Sequence, residues 1–508
     1  MPGLDDAIGH FFSSPWPACL MMIGTVLGIV VGATPGLTGA MLIALTLPLT
    51  HSMQYAGGAL DAFILLVSMY VGSISGGLIS ATLLRMPGTP ASMMTTLDGY
   101  PMARNGNPGR ALGLGITASF VGGMISWLFL ILLAKRMADW STDLRPFDFF
   151  ALVMMALVLI ATISPSNLAK GILAGLLGIL ATIPGTSPAT GKVRWTLGID
   201  EMLDGFNLLP VLVGLFAVSQ IFKDIVNLHE PMQQISVSRR GLFMTLRDWK
   251  NQAVNLVRSS VIGTWVGILP GIGANIGSVM AYSTARAMSK KPEEFGKGSE
   301  EGIVASEAAN NATIGGALIP LISLGIPGSV IDAILLGAFV IHGLQPGPLL
   351  FTANPEAVYT IMGTMLLANC FMFAFMILAV RMLAKLMFVP KSYLMPTILV
   401  FCVVGSFALN NRMFDVWVML AFGAIGFSME KAKIPIAAFV IGFILAPIAE
   451  ENLGAALQTS GGSLAPLLDP TYAGLYFMLL AAVLLVWPFA RRWRQSKNDY
   501  LASSSRKG

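Results

Sequence analysis

The chain has 508 residues, of which 55% are hydrophobic and 11% charged, at a mean hydropathy of +0.74. Soluble domains carry about 25% charged residues, so more than half of the expected charge is missing and a water-soluble fold is excluded. The net charge of +5 resides in connectors and in the C-terminal tail (Arg491, Arg492, Arg494, Lys497, Arg506, Lys507), the topogenic pattern of cytoplasmic segments rather than of a nucleic-acid surface.

Along the chain, Asp5 and Asp6 precede the first apolar stretch and no Lys or Arg precedes Arg85, so no cleavable leader with a basic start is expected and the N-terminus is expected outside. Uncharged stretches follow at 7–60, 62–84, 111–134, 149–169, 171–191, 259–285, 308–331, 333–355, 357–380 and 470–490. A membrane-spanning helix needs about 20 apolar residues, so the expected fold is an all-α polytopic transmembrane protein with roughly ten to twelve spans. A membrane β-barrel would alternate in strands of about ten residues instead. Cys19, Cys370 and Cys402 lie in apolar stretches without paired spacing or nearby His; they are expected to be small core residues, not a disulfide framework or metal cluster.

Gly and Pro interrupt the apolar pattern at four places: Gly32–Gly39, Gly72–Gly77 running on to Met86–Pro90, Gly267–Asn275, and Asn310–Gly316 running on to Ile326–Ser329. A broken helix in hydrocarbon leaves unpaired backbone groups that cost several kcal/mol each, so breaks persist where protein or a water-filled cavity satisfies them. The four breaks form two pairs. Gly24, Thr25, Gly28, Ile29 and Gly32 recur as Gly263, Thr264, Gly267, Ile268 and Gly271 at a shift of 239 residues, and Gly76-Gly77 falls on Gly315-Gly316 at the same shift. Pro87-Gly88-Thr89 recurs as Pro327-Gly328-Ser329 one residue later, at a shift of 240.

The pattern divides the chain into an extramembrane segment at 1–15, a first transmembrane repeat at 16–226, and a polar connector at 227–254 containing Arg239, Arg240, Arg247 and Lys250. A second repeat follows at 255–490, then a basic cytoplasmic tail at 491–508. Paired interrupted segments in corresponding positions of two halves point to the midplane binding site of a secondary transporter. Half-helix N-termini there offer free N–H groups and a positive dipole end to carboxylates.

Three stretches carry a specific resemblance: GATPGLTG at 32–39, YVGSISGGLISATLLRMPGTPAS at 70–92 with DGYPMARNGNPGRALG at 98–113, and the long run from Gly267 to Ser329. Together they resemble the large membrane subunit of tripartite tricarboxylate transporters, along nearly the whole chain. The resemblance implies a multi-pass permease of the bacterial inner membrane. It implies two partners, a small membrane subunit of about four helices and a periplasmic solute-binding protein. It further implies uptake of citrate-like tricarboxylates or other organic carboxylates, driven by a gradient of Na⁺ or H⁺ as coupling ion, with no other cofactor. Re-entrant hairpins and an elevator-like alternating-access motion, with the two repeats inverted, also follow from it.

The candidate carboxylate-binding residues are Thr34, Pro35, Gly36, Ser73, Ser75, Gly76, Gly88 and Thr89 of the first half, with Gly271, Gly273, Asn275, Asn310, Asn311, Gly315, Gly328 and Ser329 of the second. Hydroxyl and amide donors hold an anion without a fixed counter-charge, which keeps release possible; each is equally read alone as a helix cap or interhelical hydrogen bond. Asn310 and Asn311, adjacent amides in an uncharged stretch, are also oxygen donors suited to Na⁺. Glu307 and Asp332 are the remaining coupling-ion candidates, Glu307 alternatively being an exposed charge at a helix start. Arg85 faces a carboxylate or snorkels to the interface; Asp61, Glu450 and Glu451 read as interface markers and His342 as a structural histidine.

No phosphate-binding G-x-x-x-x-G-K-[ST] occurs, since Gly191-Lys192 is followed by Val193 and Gly296-Lys297 by Gly298; H-E-x-x-H, CxxC and G-x-S-x-G are also missing, and no catalytic residue is nominated. The rival readings are a stand-alone carboxylate transporter without a binding protein, a channel, and a membrane-embedded enzyme, the last disfavoured by scattered acidic residues.

Overall fold

The computed structural model describes residues 3–34, 37–52, 58–86, 89–163, 168–226, 241–270, 273–386 and 391–486. In chain order the helices are α1 (Leu4–Ser13), α2 (Trp16–Ala33), α3 (Gly39–Ser52), α4 (Gly58–Leu84), α5 (Thr95–Arg104), α6 (Pro108–Ser141), α7 (Pro146–Ile163), α8 (Leu168–Ala181) and α9 (Leu208–Val213). A π-helical turn at Gly214–Val218 leads into α10 (Ser219–Val226). There follow α11 (Leu246–Ile268), α12 (Gly273–Met288), α13 (Glu300–Leu324), α14 (Val330–Ile341), α15 (Leu350–Ala353), α16 (Pro355–Leu386), α17 (Lys391–Asn410), α18 (Met413–Lys431), α19 (Ile436–Thr459) and α20 (Ala473–Val486). One two-residue antiparallel ribbon, Gly185–Thr186 with Val193–Arg194, is the sheet structure among the described residues.

The all-α polytopic class expected from composition is what the chain adopts. Six helices are long and apolar enough to cross a membrane (α2, α4, α6, α16, α18, α19), and seven shorter apolar helices accompany them among the described residues. The connector at 227–240 and the tail beyond residue 486 lie outside the described residues.

Helix boundaries follow local chemistry. Pro108 opens α6, where a missing N–H costs nothing. Thr245 and Asp248 form a reciprocal capping box at the start of α11, and the Ser299 and Ser329 hydroxyls cap α13 and α14. Gly325 ends α13 in the left-handed conformation that glycine adopts without strain.

The chain forms two compact units, one of residues 1–142 with 207–428, the other of 143–206 with 429–508. In the first, α2 lies parallel to α4, because Gly24, Gly28 and Gly32 meet Leu65, Met69 and Ser73 in rising order. A Cβ at Gly28 would sit 2.5 Å from the Met69 carbonyl oxygen. The segments related by the 239-residue shift repeat this arrangement: Gly263 and Gly267 of α11 abut Ala309 and Thr313 of α13, and a Cβ at Gly267 would sit 2.6 Å from the Thr313 carbonyl oxygen. Small residues let backbones approach where no hydrophobic force between helices exists in lipid. α13 also packs on α6, where Gly122 meets Ala308 and Gly315 meets Ser126.

In the second unit α19 packs on α8, with Gly442 against the Gly175 carbonyl oxygen. Asp148 accepts the Arg145 N–H at 3.0 Å and the Gly474 N–H at 2.5 Å, fixing the starts of α7 and α20. Glu450 pairs with Arg194 at 2.9 Å and accepts from Ser187 at 2.5 Å. Of the three cysteines, all free, Cys402 is buried and Cys19 half-buried, but Cys370 is exposed on α16; the apolar stretch around it faces outward there, so it is not a core residue as expected.

Candidate functional site

Two buried polar groups of residues lie on the inner helices of the first unit. The first surrounds α13. The Ser75 hydroxyl of α4 donates to the Asn311 side-chain oxygen at 2.6 Å, and the Asn311 amide donates back to the Glu307 carbonyl at 3.2 Å. Thr95 of α5 contacts Glu307 Oε1 at 2.5 Å, and Ser119 of α6 donates to Oε2 at 3.1 Å. Glu307, Asn310, Asn311, Ser75, Thr95 and Ser119 all have zero exposure, so Glu307 is not the exposed helix-start charge considered from sequence: it sits two turns into α13, beneath α5 and α6. Both polar atoms of the Asn310 side chain are buried; the amide acts on the Glu307 carboxyl electrostatically but makes no hydrogen bond of ordinary geometry. A buried amide held this way costs part of its desolvation.

The second group gathers where three helices begin. The Tyr70 hydroxyl of α4 lies 3.2 Å from the Ser329 hydroxyl, which caps α14 through the Asp332 N–H. A Cβ at Gly273, the first residue of α12, would lie 3.7 Å from Ser329 Cβ, and one at Gly39, the first of α3, would lie 2.7 Å from Ser73 Cβ and 3.3 Å from Ile331. The N-termini of α3, α12 and α14, helices of 14, 16 and 12 residues, therefore converge on Tyr70, Ser73 and Ser329. Thr38 caps α3 by accepting the Met41 N–H. Asp332, in the first turn of α14, is fully buried; Tyr70 and Ser329 act on its carboxylate electrostatically, but neither reaches hydrogen-bonding geometry with it.

Among the described residues no Lys or Arg is buried, and no set of three His, Cys, Asp or Glu side chains is placed to hold a metal ion. Donors at both groups are hydroxyls, amides and helix N–H groups. An anion can be bound there with no fixed cation beside it.

A third buried feature frames the site. Asp98 of α5 accepts the N–H groups of Gly296, Gly298 and Ser299 at 2.8, 2.9 and 2.8 Å and the Tyr282 hydroxyl at 2.8 Å, tying the loop before α13 to α5. On the same side Arg110 makes a bidentate pair with Asp248 at 2.7 Å and a second with Glu300 at 2.9 Å, joining the starts of α6, α11 and α13.

The family model of the tripartite tricarboxylate transporter TctA family matches residues 19–441. The chain belongs to this family. An uncharacterized 52.8 kDa protein from the TAR-I ttuC′ 3′ region of Agrobacterium vitis is 31% identical over 465 residues, 91% of each chain. A second uncharacterized protein, from the TAR-II ttuC′ 3′ region of the same organism, is 33% identical over 224 residues, 44% of this chain and 93% of its own length. No solved structure matches. The chain is thus the membrane component of a tripartite tricarboxylate transporter, a multi-pass protein that works with partner subunits.

Set on this TctA-family chain, the residues nominated from sequence occupy different environments. Ser75, Asn310, Asn311 and Glu307 share the first group; Ser73, Gly273, Ser329 and Asp332 share the second. Gly76, Gly315 and Gly328 serve helix contacts with Ile29, Ser126 and Gly267, Thr34 donates to the Val30 carbonyl within its own helix, and Thr89 bonds Ser92 beside Gly77. Asn275 is exposed on α12, and Arg85 is exposed with its guanidinium 5.9 Å from the Tyr100 ring, the interfacial alternative. His342 bonds Thr50 at 3.1 Å, and Asp61 is buried against His10 at 2.8 Å. Pro35, Gly36, Gly88 and Gly271 lie outside the described residues. Sequence reasoning passed over Tyr70, Thr95, Ser119 and Asp98, single polar residues whose neighbours come from distant helices.

Proposed function

We propose that this TctA-family subunit is the permease of a cation-gradient-driven, binding-protein-dependent secondary transporter that imports tricarboxylates or related organic carboxylates across the bacterial inner membrane. The observation that carries the reading is the convergence of the α3, α12 and α14 N-termini on Tyr70, Ser73 and Ser329, without a buried Lys or Arg among the described residues. Each terminus carries about half a positive charge from its aligned peptide dipoles, the field that a carboxylate prefers. Partial charges hold an anion more loosely than an ion pair does, and a carrier must let go.

The partners in this reading are a small membrane subunit of about four helices and a periplasmic solute-binding protein that delivers the substrate. The coupling ion is Na⁺ or H⁺. The matching pairs α2 with α4 and α11 with α13 support two homologous repeats; in this reading the repeats are inverted and the site-bearing helices move as a body in an elevator-like cycle.

Uptake measured in proteoliposomes tests the reading, with the binding protein and the small subunit present or omitted, across a panel of di- and tricarboxylates and with Na⁺ or H⁺ gradients. Saturable uptake that needs the binding protein and one gradient is expected. Uptake at the full rate without the binding protein would leave a stand-alone carrier, and no uptake of any carboxylate would remove the substrate class.

A further inference from the structure

We infer that Glu307 carries a proton in this state and is the point at which H⁺ enters the transport cycle, which resolves the coupling ion of the reading above in favour of H⁺ at this site. Hydrogens are too few for the carboxyl to be ionised. Four polar contacts form one connected set: Glu307 with Thr95, Glu307 with Ser119, Thr95 with Ser306 at 3.0 Å, and Ser306 with the Ile303 carbonyl at 3.1 Å. Each contact needs one hydrogen. Ser119 gives its hydroxyl hydrogen to Oε2, and Ser306 gives its own to the Ile303 carbonyl, which has none to offer. Thr95 must then donate to Ser306, so the hydrogen between Thr95 and Glu307 sits on the carboxyl group. With the carboxyl protonated, all four contacts are satisfied in one direction, from Glu307 through Thr95 and Ser306 to the backbone of α13. With it ionised, three hydroxyls serve four contacts and one is left empty.

A lone carboxylate in a dry site is too costly to stay charged unless a cation joins it. Among the described residues no Lys, Arg or His side chain does. The titratable and charged residues on the helices around α13 are Asp61 and Tyr70 of α4, Asp98, Tyr100 and Arg104 of α5, and Arg110, Lys135, Arg136 and Asp139 of α6. On the remaining sides are Arg247, Asp248, Lys250 and Arg258 of α11, Tyr282 and Arg286 of α12, and Asp332 of α14. None of them is among the interaction partners of Glu307, which are Thr95, Ser119 and Asn310. Thr95 is in direct hydrogen-bond contact with Glu307 Oε1, so a hydrogen occupies the space between them. The Asn310 amide, buried beside it, is the remaining polar group acting on the Glu307 carboxyl.

Infrared spectroscopy of the purified full chain reads this without any transport. A protonated-acid carbonyl band at neutral pH is expected in the wild type, retained in Asp332→Asn and lost in Glu307→Gln, an isostere of the neutral acid that keeps a donor toward Thr95. No change of band in Glu307→Gln overturns the inference, as does loss of the wild-type band on adding Na⁺ at constant pH. In proteoliposomes Glu307→Gln is expected to lose accumulation driven by a pH gradient; retained pH-driven accumulation overturns the inference. Failure of the wild type to move any carboxylate strikes the proposed function instead, and leaves the infrared result standing.

Discussion

The Ser75 hydroxyl donates to the Asn311 side-chain oxygen at 2.6 Å, so the Gly-Gly segment of α4 is bonded directly to its counterpart on α13. Ser75→Ala leaves that oxygen buried without its donor, at a cost of about 1–3 kcal/mol. A lowered melting midpoint in detergent is expected, together with reduced carboxylate uptake. In a double-mutant cycle with Asn311→Ala the two losses should fall short of additive; additive losses would mean that the bond does not hold the helices together.

Asn310 makes a different prediction. Its side chain is fully buried, makes no hydrogen bond of ordinary geometry and acts on the Glu307 carboxyl electrostatically. Removing a poorly satisfied polar group costs less than orphaning a well-bonded one. Asn310→Leu should therefore lower the melting midpoint less than Ser75→Ala does while abolishing uptake. Retained uptake would remove Asn310 from the site.

The parallel helix pairs depend on glycine where backbones touch. Gly28→Ala and Gly267→Ala place a methyl group about 2.5 Å from a carbonyl oxygen of the facing helix, a close approach that no rotamer change relieves. Overpacking of this kind costs about 1–3 kcal/mol. Gly9→Ala serves as control, because a Cβ there meets nothing within 4 Å, and it should be neutral or slightly stabilising. Equal melting midpoints for all three variants would refute the close contact.

Asp98→Asn tests the loop anchor. The carboxylate accepts three backbone N–H groups and the Tyr282 hydroxyl, and hydrogen bonds to a charged acceptor are worth about 1.5–3 kcal/mol each. An amide replaces one acceptor oxygen with a donor that faces other donors. The variant should show protease cleavage near 290–299 that the wild type resists; unchanged resistance would show that the loop is held elsewhere.

The Asp248 carboxyl lies below the usual carboxylate range, mainly because Arg110 hydrogen-bonds it and also because Thr245 does. A depressed folded value means that the stabilisation is complete above the unfolded value of about 4 and is lost as pH falls through the folded value. Melting midpoints should therefore drop as pH is lowered below about 4, and Arg110→Leu should flatten that decline. A parallel decline in both proteins would place the acid sensitivity on other carboxylates.

Different parts of this molecule were legible to different degrees. The glycines of α2 and α11 recur at a fixed shift, and close helix contact constrains them so strongly that sequence periodicity exposes them. Asn310 and Asn311 stood out because amides in an uncharged stretch need partners, and Asn311 found Ser75. Thr95, Ser119 and Asp98 gave no such signal: hydroxyls and loop-side carboxylates are common, and their meaning lies in helices brought together from 188 to 212 residues away in the chain. Asn275 shows the converse, since it shares a motif with Gly273 yet is exposed two residues beyond it on α12.

The most hydrophobic part of α4 is enclosed on all sides by its own chain. Such a helix never touches an acyl tail, so membrane thickness and fluidity cannot act on Tyr70, Ser73 or Ser75 directly. Lipid composition reaches these residues only by bending the outer helices, among them α2 and α6, which are about half enclosed. A carrier arranged in this way keeps its donors in register as the host remodels its membrane.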